Sequence, residues 1–153
     1  MHMRALVRAM IVMMFVSAAP RGDDASQRVW QSDVAVRALE LTMAQGGTSI
    51  TARVVVATDS GEARGVRVEL MLPVGVGVLS VPRDCRPSPS PVMSLNARVT
   101  CVLGDLRVRE IRDLSIVTTG RPGWSEPLRF AAFVLSDKPD PQPSNNFAER
   151  SVP

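Results

Sequence analysis

The feature that most constrains this fold is a strict alternation of apolar and polar residues in short segments. Within residues 63–72, Val66 and Val68 fall on one face, whereas Arg67 and Glu69 fall on the other. The same period-2 pattern occurs in residues 48–57, 96–103 and 128–134. Such alternation is typical of antiparallel strands with one buried face and one face in water.

Turn residues separate these segments, and no window keeps a helical period for more than two turns. The turn signals include Gln45-Gly46-Gly47, Asp59-Ser60-Gly61, Pro73-Val74-Gly75 and Gly120-Arg121-Pro122-Gly123. About seven or eight short strands in one domain predict an all-β, antiparallel β-sandwich. We assign this domain to residues 32–153.

Three segments depart from the simple pattern. In Asp33–Leu41 the alternation changes phase, which predicts either a β-bulge or a kinked edge strand. Pro82–Pro91 contains four prolines and is predicted to be a loop. Asp137–Asn146 has proline at every second position, which favours an extended, polyproline-like crossing between the sheets.

Residues 1–18 have the pattern of a cleavable signal peptide. Arg4 and Arg8 supply the positive n-region, and small residues precede the expected cleavage after Ala18. The apolar stretch of about eight to eleven residues is too short for a membrane-spanning anchor, which is the alternative interpretation. The mature chain is therefore predicted to be exported, without a membrane span, and to begin with a polar segment at residues 19–31.

Cys85 and Cys101 are the only cysteines in the chain. Because exported proteins meet an oxidising environment and only one pairing exists, we predict a Cys85–Cys101 disulfide. Free or functional thiols are the alternative. Export and a disulfide together indicate a periplasmic or extracellular location.

The distribution of charge argues against a nucleic-acid partner. Removal of Arg4 and Arg8 with the leader lowers the formal net charge from +3 to +1. The remaining basic residues are scattered along the predicted strands and turns. A nucleic-acid interface would need a basic patch with stacking aromatics.

Catalytic side chains are scarce in the mature chain. The only histidine, His2, lies in the leader, and the only lysine, Lys138, lies in a proline-rich turn. Serine catalysis needs a base beside the hydroxyl group, and the mature chain has no histidine to supply it. Glycoside hydrolysis needs a pair of carboxylates, but the acidic residues are expected to lie mostly on turns or on the solvent-exposed faces of strands. We predict no catalytic residue, no cofactor site and no metal site, and hence no enzymatic activity.

Two groups of residues are weaker binding candidates. Trp30 and Trp124 are the only tryptophans, and sugars stack on exposed aromatic rings. The acidic and amide side chains of Asp137, Asp140, Asn145 and Asn146 offer hard oxygen ligands for calcium. The chain has no D-x-D-x-D-G loop, and capping of turns by these side chains is the favoured alternative.

Three motifs occur in a characteristic order. The first is Gly65-Val66-Arg67-Val68 followed by Leu72-Pro73-Val74-Gly75-Val76, the second is Val99 to Leu106 (VTCVLGDL), and the third is Ser136 to Ala148. Over residues 32–152 they resemble the repeat family named Domain of Unknown Function 11, a module of bacterial surface and secreted proteins. The chain departs from that family at Asp59, where asparagine is usual, and lacks an aromatic residue common in the second strand.

The resemblance implies an immunoglobulin-like sandwich with a scaffold or adhesion-like role and no family-wide catalytic site. We therefore predict an exported, non-enzymatic structural or protein-interaction module of the bacterial cell envelope or exterior, with an envelope or surface protein as its partner. The alternatives are a small secreted carbohydrate-binding module, or a secreted enzyme or inhibitor acting through its proline-rich loops. The sequence leaves the oligomeric state undetermined.

Overall fold

Nine antiparallel strands make up most of the chain that the computed structural model describes, namely residues 31–88, 96–123 and 125–153. The strands are β1 (Asp33–Met43), β2 (Ser49–Ser60), β3 (Ala63–Met71), β4 (Val78–Ser80), β5 (Cys85–Ser88), β6 (Arg98–Leu106), β7 (Ile111–Thr119), β8 (Leu128–Leu135) and β9 (Phe147–Val152). Single 3₁₀ turns lie at Gln45–Gly47 and Pro143–Asn145. The strands β4 and β5 are too short to show a period-2 pattern, so the predicted number of about seven or eight strands was too low.

The strands form two sheets, with the orders β1-β2-β7-β4 and β5-β6-β3-β8-β9. The neighbours β1, β2 and β7 in one sheet, and β3, β8 and β9 in the other, reproduce the A-B-E and C-F-G arrangement of immunoglobulin sandwiches. The inserted pair β5 and β6 extends the second sheet beyond β3. The predicted fold class, an all-β immunoglobulin-like sandwich, is confirmed.

The hydrophobic core lies between the two sheets and is built from the alternating apolar residues. Both sheets contribute, and Phe130 from β8 is its largest fully buried side chain. Each fully buried Val, Leu, Ile or Phe side chain stabilises the fold by about 1.5–3 kcal/mol. Other fully buried members include Ile50, Val54, Val56, Val66, Val68, Leu70, Val99 and Ile116.

The phase change in the first strand is a β-bulge at a sheet edge. In the β1–β2 register, Val36 faces Val56 and Ala38 faces Val55, so Arg37 is the additional residue. The side chain of Arg37 then points to solvent, where it pairs with Asp59. The predicted irregularity is confirmed.

The prediction of a loop throughout Pro82–Pro91 was wrong for Cys85–Ser88, which pair with β6 as an edge strand. Val102 N–H donates to the Asp84 carbonyl at 2.9 Å, so Cys85 and Cys101 face each other at a non-hydrogen-bonded position. Pro87, two residues further along, occupies the same kind of position, where its missing N–H costs no bond to β6.

The connection between β8 and β9 was also predicted incorrectly. It does not pass between the sheets, because β8 and β9 are neighbours in one sheet. The segment with the spaced prolines leads into the 3₁₀ turn at Pro143–Asn145 and does not form a continuous polyproline helix.

Several predictions concern residues that the structure does not describe. The signal peptide at 1–18 and all of the polar segment at 19–31 except Gln31 lie outside the described ranges. Within those ranges, no helix is long and apolar enough to cross a membrane.

Candidate binding face

The two tryptophans proposed as ligand contacts, Trp30 and Trp124, both lie outside the described residues. Among the described residues, a candidate binding surface is offered by the outward-facing side chains of the two sheets. The outer faces of these sheets differ in chemistry, although both sheets carry exposed apolar side chains.

The outer face of the four-stranded sheet carries charged side chains that pair between neighbouring strands. Arg53 of β2 donates to Asp113 of β7 and to Glu40 of β1, each at 2.9 Å, and so links three strands. The hydrogen bonds and charges of Asp113 and Glu40 raise the pKa of the Arg53 guanidinium above its ordinary value. These charges are therefore satisfied within the face, although Ile111 of β7 is a large apolar side chain that is 66% exposed beside them.

The outer face of the five-stranded sheet carries large apolar side chains. Because Phe130, Ala132 and Val134 of β8 are buried, the alternation turns Phe133 and Leu135 outwards. Phe133 lies directly opposite Phe147 of β9, and the ring centroids are 4.9 Å apart with an interplanar angle of 45°.

These side chains remain substantially exposed in the folded chain. The exposed fractions are 37% for Phe133, 44% for Leu135 and 43% for Phe147. Val102 of β6 is 57% exposed on the same face. Large exposed apolar patches often mark interaction sites in soluble proteins, whereas single exposed apolar residues are common on protein surfaces. We call the surface formed by Arg67, Val102, Phe133, Leu135 and Phe147 the aromatic face.

Arg67 of β3 lies at the centre of the aromatic face. It is directly opposite Leu135 on one side and Val102 on the other. Its side chain is exposed and forms no ion pair with another described residue. A guanidinium group flanked by apolar side chains is a common element of protein interfaces, in which Arg and aromatic residues are enriched.

The acidic and amide side chains near the β8–β9 connection mainly hold turns and β1. Asp140 accepts from the backbone N–H groups of Val34 at 3.0 Å and Gln142 at 2.7 Å. The side-chain amide of Asn145 donates to Asp33 at 2.9 Å. The bond from Gln142 to Asp140 is a local turn bond of the predicted capping kind, whereas the bonds to Val34 and Asp33 tie the connection to β1. Within the described ranges, no three His, Cys, Asp or Glu side chains come close enough to hold a metal ion.

A shallow depression of about 430 Å³ lies at the β6–β7 turn. Its walls combine two arginines with two carboxylates, and Glu110 already accepts from the Arg107 N–H at 2.8 Å and pairs with Arg112 at 2.6 Å. This self-neutralised surface offers less to a ligand than the aromatic face does.

The aromatic face was not identified from the sequence, although part of its signal was present. The alternation that places Phe130 in the core also places Phe133 on the outside. The contact with Phe147 depends on the β8–β9 register, which periodicity does not specify.

No protein-family model and no curated protein sequence matches this chain. Among solved structures, the chitin-binding domain of Chi18aC from Streptomyces coelicolor is 16% identical, with a TM-score of 0.45 over 68% of this chain and 90% of that domain. BslA, a bacterial hydrophobin, is 12% identical, with a TM-score of 0.44 over 80% of this chain and 92% of BslA. ChBD2 from Thermococcus kodakarensis KOD1 is 14% identical, with a TM-score of 0.38 over 69% and 93% of the two chains.

Proposed function

We propose that this chain is an exported, non-enzymatic module of the bacterial envelope or exterior and that it binds a protein partner through the aromatic face. The proposal is inferred from the chain's own residues, because its similarity to the solved structures is low. The observation that carries the proposal is the exposed Phe133–Phe147 pair beside Leu135. Because each of these side chains is only about two-fifths exposed, its complete burial by a partner contributes roughly 0.6–1.2 kcal/mol to binding before the costs of association.

The contrast between the two sheets supports this choice of face. The outer charges of the four-stranded sheet are paired across β1, β2 and β7 by Arg53. That face also exposes Ile111, but the aromatic face has two phenylalanine rings in contact beside Leu135, which a partner can cover. The disulfide between Cys85 and Cys101 fits an oxidising location outside the cytoplasm. A scaffold or adhesion-like role, implied by the family resemblance, would use such a surface.

Photocrosslinking in the source bacterium tests the proposal. We expect Phe147→p-benzoylphenylalanine to crosslink to a protein, and the added change Phe133→Ser to abolish that crosslink. The matched control is Val117→p-benzoylphenylalanine, because Val117 lies on the outer face of the opposite sheet. Equal crosslinking from both positions, or none from position 147, would count against the aromatic face as the binding surface.

Carbohydrate binding is the second candidate, since exposed aromatic rings on a sheet also suit sugar stacking. Co-sedimentation of the purified mature protein with chitin, cellulose and peptidoglycan distinguishes it. Retention that is lost in Phe133→Ser/Phe147→Ser but kept in Val117→Ser would favour the carbohydrate function over the protein partner. We expect no such difference.

A further inference from the structure

The strand β7 of the four-stranded sheet is paired along its whole length on one side only. On that side, β2 pairs with every residue of Ile111–Thr119 without a register shift. On the other side, β4 pairs with β7 only at Val117 and Thr118. Between Ile111 and Ile116, β7 therefore has no second neighbour among the described strands.

Two hydrogen bonds show which backbone groups of β7 point towards β2. At one end of the ladder, the Thr58 N–H donates to the Glu110 carbonyl at 3.1 Å. At the other end, the Gly120 N–H donates to the Thr48 carbonyl at 2.8 Å. Because bonded and non-bonded pairs alternate along an antiparallel ladder, the even-numbered residues of β7 bond to β2. The odd-numbered residues direct their N–H and C=O groups away from β2.

Three residues of β7 direct free backbone groups to the open side. On the β4 side, the Thr119 N–H donates to the Gly77 carbonyl at 2.9 Å, which agrees with the alternation. The same alternation turns the N–H and C=O groups of Ile111, Asp113 and Ser115 outwards. No hydrogen bond from elsewhere in the described ranges reaches these groups. We call residues 111–115 the open edge.

The other sheet edges are less available to an added strand. The edge strand β1 contains the bulge at Arg37, which interrupts regular pairing. The edge strand β5 presents Pro87, which has no N–H, on its outer side. The edge strand β4 has only three residues, and β9 lies beside β1 of the opposite sheet. The open edge of β7 is therefore the best template for a further strand.

We propose that the open edge binds an extended segment of another protein as an added β-strand. This surface belongs to the sheet opposite the aromatic face, so the inference does not rest on the proposed function. Alternate residues of a strand repeat at about 6.8 Å, a spacing that the free groups of another extended backbone match. Ile111 is 66% exposed and offers an apolar contact to the residue opposite it. The depression that Arg112 helps to line leaves room for a side chain at that end.

A second copy of this chain is a poorer occupant of the open edge. The antiparallel register of β7 against itself that uses all three free residues pairs Ile111 with Ser115. It also places Asp113 directly opposite the same residue of the second copy, and like charges in that position destabilise a sheet. Arg53, which binds Asp113, belongs to β2 and would not lie between the two carboxylates.

Hydrogen exchange measured by NMR on the full mature protein tests whether the edge is open. In the unbound protein, the Ile111, Asp113 and Ser115 amides should exchange at least about tenfold faster than the Arg112 and Leu114 amides, which bond to β2. Protection of all five amides would show that the edge is already occupied and would overturn the proposal.

A phage-displayed library of random 12-residue peptides supplies the probe, by selection on wild-type protein after subtraction on Ser115→Pro. The proline removes one outward N–H and leaves the bonds to β2 in place. A synthetic peptide selected in this way should bind Ser115→Pro at least about tenfold more weakly than wild type. Ser151→Pro is the matched control and should bind as wild type does, because the Ser151 N–H points away from β8 on the β9 edge.

The bound peptide should also slow exchange of the Ile111, Asp113 and Ser115 amides in the wild-type protein. This measurement decides the matter if Ser115→Pro fails to fold, with a peptide selected on wild type alone. Unchanged exchange of the three amides, or failure to enrich any peptide, would overturn the proposal.

The remaining outcomes identify a different occupant or a different surface. A peptide that Ser151→Pro rejects would place the added strand on β9. A dimer seen by sedimentation and lost in Ser115→Pro would replace the other protein by a second copy. A peptide rejected by Phe133→Ser/Phe147→Ser but not by Ser115→Pro would support the aromatic face and overturn the open edge. The reverse pattern would support the open edge whatever the fate of the proposed function.

Discussion

At the scale of single residues, Thr58 is a buried polar side chain that joins β2 to the β6–β7 turn. Its hydroxyl donates to the carbonyl of Arg107 and accepts from the N–H of Glu110 at 3.1 Å. Thr58→Val removes both bonds while keeping the side-chain shape. We expect it to lower the free energy of unfolding, measured with urea, by about 1–3 kcal/mol because buried backbone groups lose a partner.

Thr51→Val is the matched control for this prediction. Thr51 lies on the same strand, but its side chain points away from the core and makes no hydrogen bond with another described side chain. Its replacement should change the free energy of unfolding by no more than about 0.5 kcal/mol. Similar costs for both variants would show that the Thr58 hydroxyl does not stabilise the turn.

At the scale of elements, the disulfide holds β5, a four-residue edge strand, against β6. Cys85 and Cys101 are buried, bonded to each other, and directly opposed in the register, with Cα atoms 3.9 Å apart. The predicted pairing is confirmed. Replacing both residues in Cys85→Ala/Cys101→Ala should lower the free energy of unfolding by about 2–5 kcal/mol.

Hydrogen exchange should locate this loss of stability. The Arg86 and Ser88 amides are expected to exchange faster in the double variant, whereas amides of β9, at the opposite edge of the same sheet, should change only as far as global stability changes. Thiol labelling of the non-reduced wild-type protein should find no reactive cysteine. Two reactive thiols would contradict the crosslink in the native protein.

At the scale of the whole molecule, the predicted leader and the disulfide both indicate a location outside the cytoplasm. We expect the protein to be recovered outside the cytoplasm with Ala19 as its first residue, which intact mass measurement and cell fractionation would show. Arg4→Glu/Arg8→Glu reverses the charge of the n-region and should leave uncleaved precursor inside the cell. Wild-type protein found in the cytosol with residues 1–18 intact would refute export.

The sequence alone determined the fold class, because burial on one side of a strand imposes a period of two residues wherever strands are long enough. The sequence was sufficient to predict the strands β2, β3, β6 and β8 and the single possible cysteine pair. The β1 irregularity was visible for the same reason, since an additional residue shifts the phase of the alternation.

Only the tertiary structure decided which strands are neighbours, and the aromatic face depends on that. Phe133 and Phe147 are fourteen positions apart in the chain and meet because β8 and β9 pair in one particular register. Arg67 reaches Leu135 and Val102 only because β3 lies between β8 and β6. Strand order and register arise from packing between distant segments, whereas periodicity reports only which side of each strand is buried.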